Sequence, residues 1–360
     1  MPSQFKEEMK KFWKGKKVFI TGHSGFKGSW LRLFLEYFEA DIFGYSLPPN
    51  TQPNFYSILN RGHDIFGDIN DTEKLTNSFE HIKPEIVFHL AAQPLVRISY
   101  KEPLLTYQTN VIGTLNVLEA ARQTGGVKAF VNVTTDKCYE NIEQNYKYKE
   151  DDKLGGYDMY SSSKACSEIL SASYRRSFLS GEGGFHLATA RSGNVIGGGD
   201  WAADRLIPDC VRAINDKKAV QLRYPDAIRP WQHVIEPIFG YILLAKKLFE
   251  EGEKYAQSFN FAPEETSFRT VEEIVQYFIQ EYGKGEYKNI PDSTLHEANL
   301  LMLDNTKAKE VLGWQPCYSA KQAVSLTAEW YRRYYDGKDL ENFSLWQIED
   351  YLAKITAKTA

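Results

Sequence analysis

The stretch VFITGHSGFKGSW, residues 18–30, decides the fold. Val18, Phe19 and Ile20 are apolar β-formers, and Gly22, Gly25 and Gly28 follow at once. KGSWLRLFLEYFEA (27–40) then spaces its apolar residues as a helix does. A strand that passes through a glycine turn into a helix gathers free backbone N–H groups and the positive end of the helix dipole at one point. A pyrophosphate can approach closely there. Gly22, Gly25 and Gly28, with Phe26 between them, are therefore candidate cofactor-binding residues. A tight strand-to-helix turn with no ligand is the other reading of the triplet alone.

The alternation continues outward from this unit. KKVFITG (16–22), ADIFGYS (40–46), HDIFGDI (63–69), EIVFHLAA (85–92), VKAFVNVTT (127–135) and FHLATARSGNV (185–195) read as strands, rich in Val, Ile and Phe. Helical patterns lie between them, the longest being YQTNVIGTLNVLEAARQTGG (107–126). Apolar strands alternating with helices imply an α/β fold: a Rossmann-type, doubly wound parallel sheet. After about residue 190 the rhythm breaks into loops such as GGGDWAADR and RYPDAIRPWQH, and the tail 318–360 reads as mainly helical. The expected plan is a dinucleotide-binding domain over 1–190 and a smaller α/β substrate-binding domain over 191–360, with some of its segments returning to the first.

At 360 residues, 42 % of them hydrophobic, the chain can bury a large core. Its net charge of −4 provides no global basic field for nucleic acid or an anionic membrane, so an anionic ligand must be met by local arginines. No apolar run approaches the roughly 18 residues that span a bilayer. The opening MPSQFKEEMKKFWKGKK lacks the apolar centre of a secretion signal. Cys138, Cys166, Cys210 and Cys317 show neither metal-ligand spacing nor a disulfide framework, so a reducing, cytoplasmic setting without a metal site is expected.

Two stretches carry reactive groups. In YSSSK, Tyr160 and Lys164 stand four apart and share a helix face. An ammonium beside a phenol favours phenolate, which makes Tyr160 a candidate base. In VTTDKCYE (133–140), Thr135, Asp136 and Lys137 follow the fifth strand at its carboxyl end, the edge where open α/β sheets bind ligands. Cys138 reads as a small packed residue rather than a nucleophile.

Taken in order, these pieces resemble the extended short-chain dehydrogenase/reductase superfamily. The glycines are spaced three and three. Asp68-Ile69 follows the third strand, LAAQ (90–93) the fourth, Asn110 lies in a helix, and Thr135 and YSSSK come after the fifth strand. The resemblance spans about residues 16–330. It implies that Asp68 and Ile69 contact adenine, that Ala91 and Ala92 line the cofactor with Gln93 and Asn110 at its site, and that Lys164 holds the nicotinamide ribose. NAD, tightly held and recycled in place, is the expected cofactor. The second strand ends in GYSLPPN without the acid that NAD-selective members carry, so NADP stays open. His23 and Lys27 in the glycine loop either pair with phosphate or are solvated.

A plain dehydrogenase needs only the hydroxyl at Thr135. An adjacent acid and amine suit a further step, the loss of water next to an oxidised sugar carbon. The chain is similar to the nucleotide-sugar 4,6-dehydratases. TGHSGFKGSWL, AAQPLVR, GGYDMYSSSK, RSGNVIGGGDWAADRLIPD and RPWQH resemble the branch that acts on CDP-glucose. The resemblance makes Asp136 the acid for the departing hydroxyl and Lys137 the proposed base, where the branch acting on deoxythymidine-diphosphoglucose has glutamate. A lysine is ordinarily protonated at neutral pH, so Lys137 acting as an electrostatic stabiliser is the second reading.

A nucleotide sugar carries about two negative charges on its diphosphate, which guanidinium forks suit. Arg205, Arg223 and Arg229 are the candidates. By resemblance Asn194 joins Arg229 near the diphosphate, and Leu206, Ile207 and Pro208 line the nucleotide; His296 and Glu297 lie in a family segment near the ligand. The helix 100–124 and the helix bearing Tyr160 form an intersubunit bundle in this family, so a homodimer or homotetramer is expected. The implied activity is a lyase making CDP-4-keto-6-deoxyglucose, a precursor of deoxysugars in bacterial surface polysaccharide. A 4-epimerase and a catalytically silent cofactor-binding protein are the competing readings.

Overall fold

The computed structural model describes residues 2–62, 64–179, 181, 184–290 and 300–359. The first half runs α1 (Pro2–Trp13), β1 (Lys17–Thr21), α2 (Phe26–Tyr37), β2 (Asp41–Ser46), β3 (Ile65–Phe66), α3 (Thr72–Ile82), β4 (Ile86–His89), α4 (Val96–Lys101), α5 (Gly113–Thr124), β5 (Ala129–Val133), α6 (Met159–Phe178) and β6 (His186–Ser192). Beyond it come α7 (Leu206–Asn215), α8 (Ile235–Glu251), β7 (Ser258–Phe261), α9 (Val271–Tyr282), α10 (Ala320–Tyr335) and α11 (Leu340–Thr359). Seven strands form one sheet in the order β7-β6-β5-β4-β1-β2-β3, every pair parallel. This is the Rossmann-type architecture the sequence implies.

Strand alternation explains the two cores. Val18, Ile20, Phe88 and Val131 face one side, against Leu31 and Phe34 of α2 and Ile238 and Ile242 of α8. Their neighbours Phe19, Val87 and Phe130 face the other, against Phe79 of α3 and Val117 and Leu118 of α5. With both faces covered, β4 and β5 are buried along their whole length, as central parallel strands are. The chain order reverses at β1, which lies between β2 and β4, so a crevice opens at the carboxyl edge there. Gly22 turns out of β1 at φ +76°, and a Cβ at Gly28 would stand 2.1 Å from the Gly22 carbonyl oxygen. Only glycine admits that approach.

Two expected elements differ in extent. HDIFGDI pairs only over Ile65–Phe66, because the chain then leaves the sheet to place the Asp68 carbonyl on the Tyr45 hydroxyl at 2.9 Å. The long helix expected from 107 starts earlier, at Pro103, and passes through a wider π turn over Gln108–Ile112 before α5. The helical tail folds back, with α11 packing on α1 and α2. No helix among the described residues is long and apolar enough to cross a membrane.

Candidate active site

The carboxyl edge of the sheet and residues 193–229 enclose a cleft of about 1120 Å³. At its β1 end lie Gly22, Gly25, Phe26 and Gly28, with Asp68, Ile69, Ala91 and Ala92 beside them. The close glycine loop and the free N–H groups at the start of α2 fit a dinucleotide's pyrophosphate. Gln93 and Asn110 do not line the cleft; they stand behind its wall. Asn110 Oδ1 accepts from Gln93 N at 2.8 Å, and its Nδ2 donates to the Gln93 carbonyl at 3.1 Å and to Ser163 Oγ at 2.9 Å. Asn110 is buried in the π turn, and the pair braces the end of β4 against α6.

His23 is withdrawn from the cleft, whereas Lys27 lines it while bonding to the protein. His23 is buried, its Nε2 3.6 Å from Asp64, and burial lowers its pKa to about 4. Lys27 reaches under the loop, donating to Ser192 Oγ at 2.7 Å and Tyr241 OH at 3.4 Å. Burial, then Arg205, lowers its pKa to about 7.

The reacting groups meet at the end of β5. Asp136–Cys138 form a single 3₁₀ turn, at whose start Thr135 donates its hydroxyl to Asp136 Oδ1 at 3.0 Å. Asp136 is 2 % exposed, and its Oδ2 has no hydrogen-bond partner among the described residues. Burial raises its pKa against the pull of Lys137, Thr135, Arg229 and Lys27, which favours the protonated acid. Lys137 lines the cleft beside it. Burial also pushes the Cys138 thiol up, leaving it a packed, protonated group.

Asp158 caps α6, accepting from Ser161 N at 2.9 Å and from Ser161 Oγ at 2.6 Å, and so sets Tyr160 in the first turn. Tyr160, Lys164, Thr135 and Asp136 all line the cleft. The expected depression of the phenol is not a property of the chain by itself. Burial dominates and pushes Tyr160 up to about 12, although the Thr135 hydroxyl and Arg205 oppose it. Lys164 donates to the Val133 carbonyl at 3.1 Å, and burial lowers its pKa to about 8.

Across the cleft, Asn194, Arg205, Leu206, Ile207, Pro208, Arg223 and Arg229 all contribute to the lining. Arg205 pairs with Asp200 at 2.9 Å and Arg223 with Asp204 at 2.9 Å, while buried Arg229 donates to the Ile228 carbonyl at 2.9 Å. Sequence reading passed over Arg97, which α4 brings to the same wall, 3.8 Å from Asp204. Its signal lay in AAQPLVR, only eight residues beyond the end of β4. His296 and Glu297 lie outside the described residues. Among the described residues no cluster of His, Cys, Asp and Glu could hold a metal ion.

Residues 19–327 match the family model described as GDP-mannose 4,6 dehydratase. The CDP-glucose 4,6-dehydratase of Salmonella typhimurium is 45 % identical over 360 residues, covering 96 % of this chain and 99 % of the relative. The UDP-glucose 4-epimerase of Thermotoga maritima, solved with UDP-glucose, has a TM-score of 0.75 at 25 % identity, covering 88 % of this chain and 99 % of its own. The dTDP-glucose 4,6-dehydratase of Bacillus anthracis, solved in complex with NAD, shares the fold at a TM-score of 0.73 and 22 % identity, with 91 % and 100 % covered. With the model spanning most of the sequence and a relative this similar from end to end, the chain belongs to the GDP-mannose 4,6-dehydratase family.

Proposed function

We propose that the protein is an NAD-dependent hydro-lyase that converts CDP-D-glucose to CDP-4-keto-6-deoxy-D-glucose. One observation carries the reading: a buried acid with an unpartnered oxygen, Asp136, stands in one cleft with Tyr160 and Lys164, in a chain 45 % identical to a CDP-glucose 4,6-dehydratase. When bound, NAD supplies a reversible acceptor for the carbon-4 hydrogen, which ends on carbon 6. Burial alone keeps Tyr160 as the phenol; with the positive charge of bound NAD opposing that burial, its phenolate would take the proton of the carbon-4 hydroxyl. Lys137, as the free amine, takes the carbon-5 proton and Asp136 gives its proton to the carbon-6 hydroxyl, which leaves as water. Lys137 then returns a proton to carbon 5 as carbon 6 gains its hydrogen, and the proton taken by Tyr160 restores Asp136. The product is the substrate less one water, with no net oxidation.

In this reading Gly22, Gly25, Phe26, Gly28, Asp68, Ile69, Ala91, Ala92 and Lys164 hold the dinucleotide. Asn194, Arg205, Arg223 and Arg229 meet the diphosphate, and Leu206, Ile207 and Pro208 the nucleoside. Residues 1–190 then bind the cofactor and 191–360 mainly the substrate. Leu104, Leu105, Ile112 and Ile169 expose apolar side chains on the two helical stretches singled out for subunit contact, which supports a homodimer or homotetramer that light scattering can measure.

The decisive experiment incubates the protein with NAD and CDP-glucose. A base-induced ultraviolet absorbance, a mass lower by one water and transfer of deuterium from carbon 4 to carbon 6 are expected. A product of unchanged mass would overturn the dehydratase reading in favour of the 4-epimerase, which has no use for an acid at Asp136.

A further inference from the structure

One buried ion pair joins the helix bearing Tyr160 and Lys164 to the loop bearing Thr135, Asp136 and Lys137. Glu168 lies one turn beyond Lys164 on α6, and Arg191 lies on β6. They meet at 2.8 Å with side chains 1 % and 3 % exposed. Glu168 Oε1 accepts a hydrogen bond from the Thr134 hydroxyl. Its Oε2 also accepts from Thr189 at 2.7 Å. Arg191 Nη1 donates to the Tyr139 hydroxyl at 2.7 Å and to the Glu150 carbonyl at 3.0 Å. The Tyr139 hydroxyl in turn donates to Asn260 Oδ1 at 2.8 Å, on β7.

Thr134 and Tyr139 bracket residues 135–138, so each end of the reactive turn is held by one member of the pair. Apolar side chains of similar volume would join a strand to a helix as well as a buried ion pair does. They would not hold two loop residues by direction, and this arrangement does. The near end has a further anchor in the Thr134 N–H, which donates to the Ala190 carbonyl at 2.9 Å. At the far end the Gly155 N–H donates to the Cys138 carbonyl at 2.9 Å, and the Tyr139 ring stacks on Tyr148. The Arg191 bond orients the hydroxyl end of that ring.

We propose that Glu168 and Arg191 are positioning residues for the reaction, holding the Asp136–Lys137 turn in register with Tyr160 and Lys164. Oxidation at carbon 4 and elimination across carbons 5 and 6 then act on one sugar without its moving. The inference rests on the dehydratase reading above. A displacement near 1 Å in such a site costs on the order of a hundredfold in rate.

The test compares wild type with Tyr139→Phe, which removes one hydroxyl and keeps the ring, and with Glu168→Gln and Arg191→Lys. All are assayed on CDP-glucose carrying deuterium at carbon 4 or at carbon 5. Tyr139→Phe should lower kcat about tenfold while KM stays within about twofold, a partial loss of the positioning effect. The isotope effect from carbon 5 should rise and that from carbon 4 fall, as elimination becomes the slow step. A purely structural role would lower the melting temperature and leave both isotope effects unchanged. Tyr139→Phe and whichever of the other two folds, both with wild-type kcat and isotope effects, would overturn the inference alone. A wild type that makes no dehydrated product overturns the functional reading and this inference together.

Discussion

Thr135 and Asp136 are bonded to each other as well as adjacent: the threonine hydroxyl donates to Oδ1 of the buried carboxyl at 3.0 Å, while Oδ2 has no partner among the described residues. Burial raises the pKa of Asp136 and so favours its protonated, proton-donating form, with one oxygen that no group among the described residues engages.

Asp136→Asn keeps the shape and removes the transferable proton. Formation of the 4-keto-6-deoxy product should fall by about 10²–10⁴-fold, with an unchanged melting temperature. In the wild type the same donor is lost as pH rises through its raised pKa, so kcat should decline on the alkaline side. A variant that still dehydrates at near-normal rate would remove Asp136 from the acid role.

Tyr160→Phe should stop oxidation at carbon 4, with a loss of about 10²–10⁴-fold, while the buried ring preserves the fold. The check is transfer of deuterium from carbon 4 to the cofactor or to carbon 6, measured beside a thermal melt.

Lys137→Met should still bind CDP-glucose and oxidise carbon 4 but fail to lose water. Exchange of the carbon-5 hydrogen with deuterated solvent should vanish with it. Exchange persisting at the wild-type rate would show that another group takes that proton.

Arg229→Ala should raise KM for CDP-glucose by roughly tenfold, equivalent to about 1.4 kcal/mol, with little change in kcat. Steady-state kinetics check this, and an unchanged KM contradicts a diphosphate contact.

Glu236 is buried at the start of α8, its Oε1 accepting from Cys317 N at 2.6 Å and Tyr318 N at 3.0 Å, and burial raises its pKa to about 7. Because the folded value lies above the unfolded one, its contribution is whole below about pH 4.5 and is lost as pH rises through about 7. The loss is on the order of 3 kcal/mol. Glu236→Gln should flatten the fall of melting temperature across that range; an equally steep fall in the variant would assign the effect elsewhere.

The parallel sheet, the glycine turn at 22–28 and the reactive triplets at the carboxyl edge were all readable from residue order. Their causes are local: apolar runs of strand length, glycine at a turn, and a four-residue helical spacing. The cleft-lining arginines were legible too, since a diphosphate calls for guanidinium groups. Other features depend on partners far away in the chain. Whether Lys27 meets solvent or Ser192 is settled 165 residues later, and His23 is withdrawn by packing against Asp64. Gln93 and Asn110 bond to each other, 17 residues apart, because a π turn brings Asn110 to the end of β4. The elevated Tyr160 phenol likewise comes from being enclosed. Pattern along the backbone specifies which groups reach the sheet's edge; which of them face the cleft, and in what protonation state, follows from burial and long-range pairing that a linear order does not contain.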